Sequence, residues 1–258
     1  GSVGFLDDDG HWTIECVTDS RIAFSVNNSE KFRISSDGSL STPTAGTSNV
    51  RLGVNAGNSI LSGGNYNVIV GDEAGTALTT GDQNVLLGYG AGDAIVSSSN
   101  NVAVGNLALS ADTLGGRSVG IGSSALTTQN FTTATNAYNV AVGFTAGTSL
   151  TTGVENTLIG GLAGDALTDA DYNVAAGVYA LSADTYGSRS VAIGRSALQT
   201  QNFTTANSNY NIGVGYSAGG AITTGVRNTI VGGLAGDALT TGGSNVAMGY
   251  AALGADTL

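Results

Sequence analysis

Apolar and polar residues alternate in a five-residue pattern that recurs along most of the chain. The pattern reads NVIVG at residues 67–71, NVAVG at 101–105 and 139–143, and SVAIG at 190–194. Its second and fourth residues are apolar nearly everywhere, which is the two-residue period of a β-strand. The Gly at its end permits a turn that a Cβ atom would hinder. The pattern therefore predicts a short strand followed by a sharp turn, repeated many times.

The repeat unit has a nearly constant length. Most units follow a 17-residue period, and only the two units that start at Ser118 and Ser190 have a 21-residue length. A weaker copy starts at Asn49, and a 72-residue period overlies the short one, so that 108–134 closely matches 180–206. A fixed period of this size is the signature of a repeat architecture. Units that match the pattern closely start at Asn67, Asn84, Asn101, Ser118, Asn139, Asn156, Asn173, Ser190, Asn211, Asn228 and, for the incomplete last unit, Asn245.

Each unit predicts one coil of a solenoid. Its fifth residue is Gly and its eighth is Ala in all eleven of these units, and its twelfth is often Leu, where we expect a second short strand. One such coil buries only about four small apolar side chains, so the coils must stack in order to fold. The sequence thus predicts an all-β protein in which residues 46–258 form a parallel β-solenoid, or β-roll, of about 12 coils spaced ~4.8 Å apart. Because the last unit is incomplete, we expect this domain to be truncated within a repeat.

Residues 1–45 differ in kind from the repeats. The stretch RIAFSVNNSEKFRISSDGSLST at 21–42 alternates apolar and polar residues around an SSDG turn, which predicts a β-hairpin region over residues 1–45. The DDDG stretch at 7–10 is interpreted as another hairpin turn. His11, which follows it, is then a strand residue and not a metal ligand or an acid–base group.

The third residue of each unit predicts contacts between chains. If the second and fourth residues face the core, the third faces away from it. It is apolar or Gly throughout, unlike a solvated strand, and such a stripe would aggregate on a monomer. We expect it to pack against other copies in a homo-oligomer around the long axis; the alternative is that another part of the same chain covers it. The stripe consists of Ile69, Leu86, Ala103, Gly120, Ala141, Leu158, Ala175, Ala192, Gly213, Ile230 and Ala247.

Two inserted segments are candidate receptor-binding loops. TTQNFTTATNAY at 127–138 and QTQNFTTANSNY at 199–210 add four residues to a coil, and we expect them to protrude. An aromatic ring among amides and hydroxyls suits sugar binding; the alternative is that each Phe lies beneath its loop or against a neighbouring chain. The candidate residues are Gln129, Asn130, Phe131, Gln201, Asn202 and Phe203.

Composition and charge exclude several classes of function. The net charge is −11 and the eight basic residues are scattered, so we expect no nucleic-acid binding. One Cys excludes an internal disulfide framework and a Cys-based zinc site, and the chain has no apolar run long enough to predict membrane insertion.

Motifs for chemistry are weak. GIGSSA at 120–125 fits a dinucleotide-binding loop only in form, because it is one copy of the solenoid unit. GGLAGDALT at 160–168 and 232–240 displaces the Gly and Asp of a calcium-binding β-roll repeat. A single His makes a catalytic triad a poor hypothesis. We therefore predict no enzyme activity, no catalytic residue, no cofactor and no metal.

The units resemble a known family. SVAIGRSA at 190–197, NVAVGNLA at 101–108 and SVGIGSSA at 118–125 resemble the head repeats of trimeric autotransporter adhesins, the YadA-like heads, and the resemblance covers residues 49–258. That family folds as a trimer of left-handed parallel β-rolls, although its typical repeat is shorter than the units found here. NNSEKFRISSDG at 27–38 resembles segments of phage tail-fibre proteins.

Together the two resemblances imply a structural and adhesive fibre. We expect a trimeric phage or viral tail-fibre shaft, located on the virion, that attaches to a host cell-surface glycan or protein. One alternative is the head of a bacterial trimeric surface adhesin, located outside the cell. A second alternative, favoured by the abundant Thr, is an ice-binding solenoid.

Overall fold

Strands of three residues stack into one long parallel sheet, which is the main element of the fold. A computed structural model describes residues 21–26, 29–35, 40–42 and 45–255; the DDDG stretch and His11 lie outside these ranges. The described part is all-β and contains no helix. Its sheet has 12 strands in chain order, one from each coil, so the predicted parallel solenoid of about 12 coils is confirmed.

Equivalent repeat positions stack directly on one another. Val85 pairs with Val102 and Leu86 with Ala103, and the same register holds between every pair of neighbouring coils, including those on either side of the insertions. The strands of this sheet are β4 (Val50–Leu52), β5 (Val68–Val70), β6 (Val85–Leu87), β7 (Val102–Val104), β9 (Val119–Ile121), β11 (Val140–Val142), β12 (Thr157–Ile159), β13 (Val174–Ala176), β15 (Val191–Ile193), β17 (Ile212–Val214), β18 (Thr229–Val231) and β19 (Val246–Met248).

Three small sheets accompany the long one. Near the N-terminus, β1 (Arg21–Val26), β2 (Ser29–Ser35) and β3 (Leu40–Ser41) form an antiparallel sheet. At the two insertions, short parallel pairs form between β8 (Gly115–Gly116) and β10 (Thr135–Asn136), and between β14 (Gly187–Ser188) and β16 (Asn207–Ser208).

The predicted second strand of each coil is wrong. Residues 72–77 form turns, and the same holds for the equivalent segments. The seventh and ninth residues of the unit have left-handed backbone, as in Glu73 with φ 59° and Gly75 with φ 54°, and this conformation cannot continue a strand. Single backbone hydrogen bonds join the coils here instead, such as Gly75 N to Ala91 O at 3.0 Å.

A column of buried amides marks the first position of the units. Asn84 donates its backbone N–H and its Nδ2 to Oδ1 of Asn67, at 2.9 and 3.1 Å, and Nδ2 also donates to the carbonyl of Ser98 at 3.0 Å. Each side chain therefore joins its coil to the coil before it and closes its own turn. These Asn residues have almost no exposed surface, so every amide must find its partners inside the protein.

The invariant Gly at the fifth position has a steric cause. Gly143 has φ 145°, and a Cβ atom there would clash with the carbonyl oxygen of Gly160 in the next coil. A side chain at this position would therefore strain the backbone and push two coils apart.

We predict that Gly143→Ala lowers the free energy of unfolding by about 1–3 kcal/mol or more, the usual cost of such backbone strain. Gly161→Ala is the matched control, because its Cβ would approach no atom closer than Phe144 O at 3.9 Å. Urea unfolding followed by circular dichroism measures both variants. Equal unfolding midpoints for the two would contradict the steric account.

Candidate functional site

The third-position residues predicted to contact other chains lie inside a single chain. Their exposed fractions are zero, apart from 4% for Ala247, and the two Gly are buried as well. The predicted interchain role is therefore wrong for this face of the strand, and the alternative of cover by the same chain is right. The corrected residues are Ile69, Leu86, Ala103, Gly120, Ala141, Leu158, Ala175, Ala192, Gly213, Ile230 and Ala247.

Packing inside the solenoid explains why this stripe mixes small and large residues. The third residue is Ala or Gly wherever its own coil or the coil before it has Leu at the ninth position. The Leu side chain fills the space, since a Cβ atom added to Gly213 would lie only 2.8 Å from Cγ of Leu198 in the preceding coil. Where both ninth residues are Gly, a large third residue fills the space instead, and a Cβ atom added to Gly75 would lie only 2.8 Å from Cδ1 of Leu86. The small members therefore balance volume within the core and do not bring chains together.

The opposite face of the long sheet is apolar and uncovered. It carries the second and fourth residues, and only two of them, Thr157 and Thr229, are polar. All are partly or fully exposed; Ile159 exposes 46% of its surface. We call this surface the outer face: Val50, Val68, Val85, Val102, Val119, Val140, Thr157, Val174, Val191, Ile212, Thr229 and Val246, with Leu52, Val70, Leu87, Val104, Ile121, Val142, Ile159, Ala176, Ile193, Val214, Val231 and Met248.

Aromatic and basic side chains border the outer face. One border consists of the residues that directly precede each unit, and the other consists of the sixth residues of the units. Arg189 lies 4.8 Å from the ring centre of Tyr172 and 6.0 Å from that of Tyr210, and Arg195 lies 5.9 Å from that of Tyr216. The exposed aromatic residues of the two borders are Tyr66, Tyr138, Tyr172 and Tyr210, and Tyr89, Phe144, Tyr216 and Tyr250.

Charge is separated across the solenoid. The two borders hold Arg117, Arg189, Arg195 and Arg227 but only two carboxylates, Asp72 and Glu155. Most other acidic residues of the coils sit at the tenth to sixteenth positions, on the remaining surfaces: Asp82, Asp93, Asp165, Asp169, Asp171 and Asp237. The outer face is thus apolar with basic edges on a chain whose net charge is −11.

The inserted loops bury most of their predicted binding residues. Gln129 and Gln201 have no exposed surface, and Phe131 and Phe203 expose only 6%. The expectation that these four side chains contact a receptor is wrong, because they fill the interior beneath the loop, as the alternative for the Phe residues proposed. Only Asn130 and Asn202 are exposed, and each accepts a hydrogen bond from a Thr hydroxyl of the preceding coil, at 3.0 and 3.1 Å.

Gln129 supplies the missing side-chain amide where Ser118 interrupts the column of Asn residues. Its Nε2 donates to Ser118 Oγ at 3.0 Å and to Asp112 Oδ2, and its Oε1 accepts from Asn139 Nδ2 at 2.9 Å. Asp112 Oδ1 also accepts the backbone N–H of Gly115 at 2.8 Å. Gln201 makes the same three bonds, to Asp184, Ser190 and Asn211, one long repeat further along.

Sequence reasoning missed this network although a signal for it exists. The twelfth residue is Asp112 in one coil and Gln129 in the next, and Asp184 and Gln201 repeat this pair, whereas Leu or Ile occupies the position in most other coils. Two polar residues at a core position of adjacent coils predict contact with each other.

Burial raises the pKa of the Asp112 and Asp184 carboxyls above the ordinary value of 3.8, although hydrogen bonds from the Gln side chains and the backbone oppose this. A carboxyl that holds its proton more tightly in the folded chain than in the unfolded chain favours folding in acid. Its stabilising contribution is complete below the ordinary value of 3.8 and is lost as pH rises through the raised pKa.

We predict that the urea midpoint of the protein falls as pH rises through this window, and that the fall is smaller in the double variant Asp112→Asn, Asp184→Asn. Asp169→Asn, which changes an exposed carboxyl, serves as the control and should keep the full fall. Urea titrations at a series of pH values measure the slope. A slope that persists unchanged in the double variant would rule out these two carboxyls as its source.

A further candidate for a metal site is the Asp at the tenth position of the unit, which is Asp165 in the first GGLAGDALT stretch and Asp93 in an earlier coil. Burial raises the pKa of Asp93 and Asp165, and Oδ1 of each is buried without a hydrogen-bond partner. The two Asp residues lie four coils apart. In the described ranges, no three His, Cys, Asp or Glu side chains come together in a way that would hold a metal ion.

Comparison with known proteins gives no relative. No protein-family model matches the chain, and no match was found among curated proteins or solved structures. Within the described part of the chain, no helix is long and apolar enough to cross a membrane.

Proposed function

We propose that this chain is the shaft or tip segment of a homotrimeric phage or viral tail fibre that attaches to a host surface. The head of a bacterial trimeric adhesin is the alternative setting, with the same physical design. The observation that carries the proposal is the outer face, an apolar surface that runs the length of a rod and that nothing in the described part of the chain covers. We therefore assign the interchain contact to the second and fourth residues of the units, on the opposite face of the same strands from the third residue.

The size of the outer face supports self-association. Eleven steps of about 4.8 Å give a length of about 53 Å, and a width of roughly 15 Å between the two borders gives roughly 800 Å². A stable protein interface buries about 800 Å² on each partner. An apolar surface of this size on a free monomer would be an aggregation hazard.

The two borders fit each other when chains run parallel and in step. In a ring of copies around the rod axis, the residue before a unit meets the sixth residue of the same unit in the next copy. At three steps a long side chain then meets a small one: Arg117 faces Ser123, Glu155 faces Gly161, and Arg227 faces Gly233. At two others aromatic rings face each other, Tyr138 with Phe144 and Tyr210 with Tyr216. Arg189 facing Arg195 is the one like-charged pair, and neighbouring Tyr rings stack on both.

The trimer and the fibre setting are supported by the resemblance of the units to YadA-like head repeats and of 27–38 to phage tail-fibre segments. The Thr residues give less support to ice binding. At the thirteenth position their hydroxyls donate to carbonyls of the next coil, as in Thr79 to Val96 O at 2.9 Å and Thr151 to Thr168 O at 3.0 Å. These donors are therefore engaged within the solenoid and are not offered to ice.

We predict a solution mass of three times the 25.4 kDa of one chain, by light scattering on a size-exclusion column. Ile159→Glu should shift the mass to 25.4 kDa while the circular dichroism spectrum is retained, because it places a charge in the centre of the apolar interface. Thr224→Glu, exposed away from the outer face, should leave the trimer intact. A native mass of 25.4 kDa would overturn the proposal.

We further predict a specific disulfide between copies. In a Cys16→Ser background, Glu155→Cys with Gly161→Cys should give cross-linked oligomers on a non-reducing gel. Within one chain these positions lie at opposite borders, too far apart for a disulfide. Glu155→Cys with Gly233→Cys, displaced by four coils, is the control and should stay uncross-linked. Equal cross-linking of the control would show that the copies are not in step.

A further inference from the structure

We infer that a groove beside the first insertion binds an acidic saccharide, that is, a sugar chain that carries a carboxylate. The inference rests on the proposed function, since it names the chemistry of a receptor for the fibre. In the proposed trimer Arg117 is a border residue, and the residue that faces it in the next copy is the small Ser123, which leaves the groove accessible. The groove has a volume of about 330 Å³ and is open to solvent. Its polar lining residues are Ser98, Ser99, Asn100, Arg117, Thr135 and Asn136.

The four-residue insertion builds this groove. It lets β10 pair with β8, so that Ala137 N–H donates to Gly116 O at 3.0 Å, and this pairing holds Thr135 and Asn136 beside the preceding coils. Arg117 N–H donates to Ser99 O at 3.2 Å and fixes the other wall. Both walls are therefore held by backbone hydrogen bonds, as a preformed site requires.

The charge of the groove is unusual for this chain. Arg117 is its only charged lining residue and no carboxylate lines it, whereas the whole chain has a net charge of −11. Arg117 donates one hydrogen bond to Tyr138 Oη at 3.0 Å and lies 5.7 Å from the centre of the Tyr138 ring, and it makes no ion pair among the described residues. A guanidinium has five N–H donors in a fork that fits a carboxylate, so most of its donors are left for a ligand.

The other lining groups favour a saccharide over a peptide. Hydroxyl and amide side chains donate and accept, as sugar hydroxyls do, while the apolar lining is limited to Leu114 and Ala134. Peptides are recognised through apolar grooves and side-chain pockets or through an open sheet edge. Tyr138, with 47% of its surface exposed, adds a ring at the edge.

The second insertion provides an internal control. There, Tyr172 stands in place of Asn100, Tyr186 in place of Leu114, and Ser208 in place of Asn136. Arg189 donates to Ser208 Oγ at 2.6 Å and lies 4.8 Å from the ring centre of Tyr172. The Arg189 guanidinium is thus held more closely against its own chain than that of Arg117, and we assign the saccharide site to the first insertion alone.

Titrations followed by saturation-transfer NMR test the site. The probes are 3′-sialyllactose and trigalacturonate, with lactose as the neutral counterpart. The intact protein should bind at least one acidic probe and bind lactose at least tenfold more weakly. Arg117→Gln should lower the affinity for that acidic probe at least tenfold, which is the scale of a lost charge-assisted hydrogen bond, and Arg189→Gln should leave it unchanged.

Three results would overturn the inference: no binding of either acidic probe, equal binding of lactose, or equal losses in the two Arg variants. The same samples are run on the size-exclusion column. A trimer that binds no acidic probe would reject the saccharide site and keep the fibre, whereas a monomer that binds would reject the fibre assembly and keep the site.

Discussion

Hydrogen bonding from coil to coil is the constraint on which the rest of the structure depends. Each coil contributes a strand of only three residues, and each strand has partners only in the coils above and below it. The buried Asn at the first position fixes the register, because its Oδ1 accepts both the backbone N–H and the side chain of the next Asn. Once one step is fixed, every repeat position forms its own column, so that core, outer face and borders each run the full length of the rod.

The narrow interior then decides what each coil can contain. A Leu at the ninth position and a large third residue compete for the same space, and the chain resolves this coil by coil. Four coils combine Leu at the ninth position with a buried Asp or Gln at the twelfth, and their Asp and Gln pairs continue the amide column where Ser118 and Ser190 interrupt it. The core thus has two compatible filling patterns, arranged in a fixed order.

The repeat, the parallel stacking and the steric role of the fifth-position Gly follow from the sequence, because a 17-residue period leaves few other folds. Which face of each strand points into the core cannot be predicted from apolarity, since positions two, three and four are all apolar. The buried Asn at the first position decides it, because side chains alternate along a strand and the first and third residues therefore point to the same side. Asn67 and Ile69 are accordingly both buried. The turns after each strand could not be predicted from the sequence either, because residues such as Leu109 and Leu126 adopt a left-handed φ of 52° only where the stacked coils hold them. The groove beside Arg117 could not be predicted because it depends on how one insertion pairs with the coil before it.

The order of the two filling patterns sets a rule for how such a rod changes length. Gain or loss of a single coil would in several places set a Leu against a large neighbour or leave an Asp without its Gln. Gain or loss of the four coils 139–210 keeps the pattern, because the small third residues Ala141 and Gly213 both follow a coil with Leu at the ninth position. By recombination between its own repeats, the gene for this chain would then lengthen or shorten the rod in steps of about 19 Å, four coils at a time.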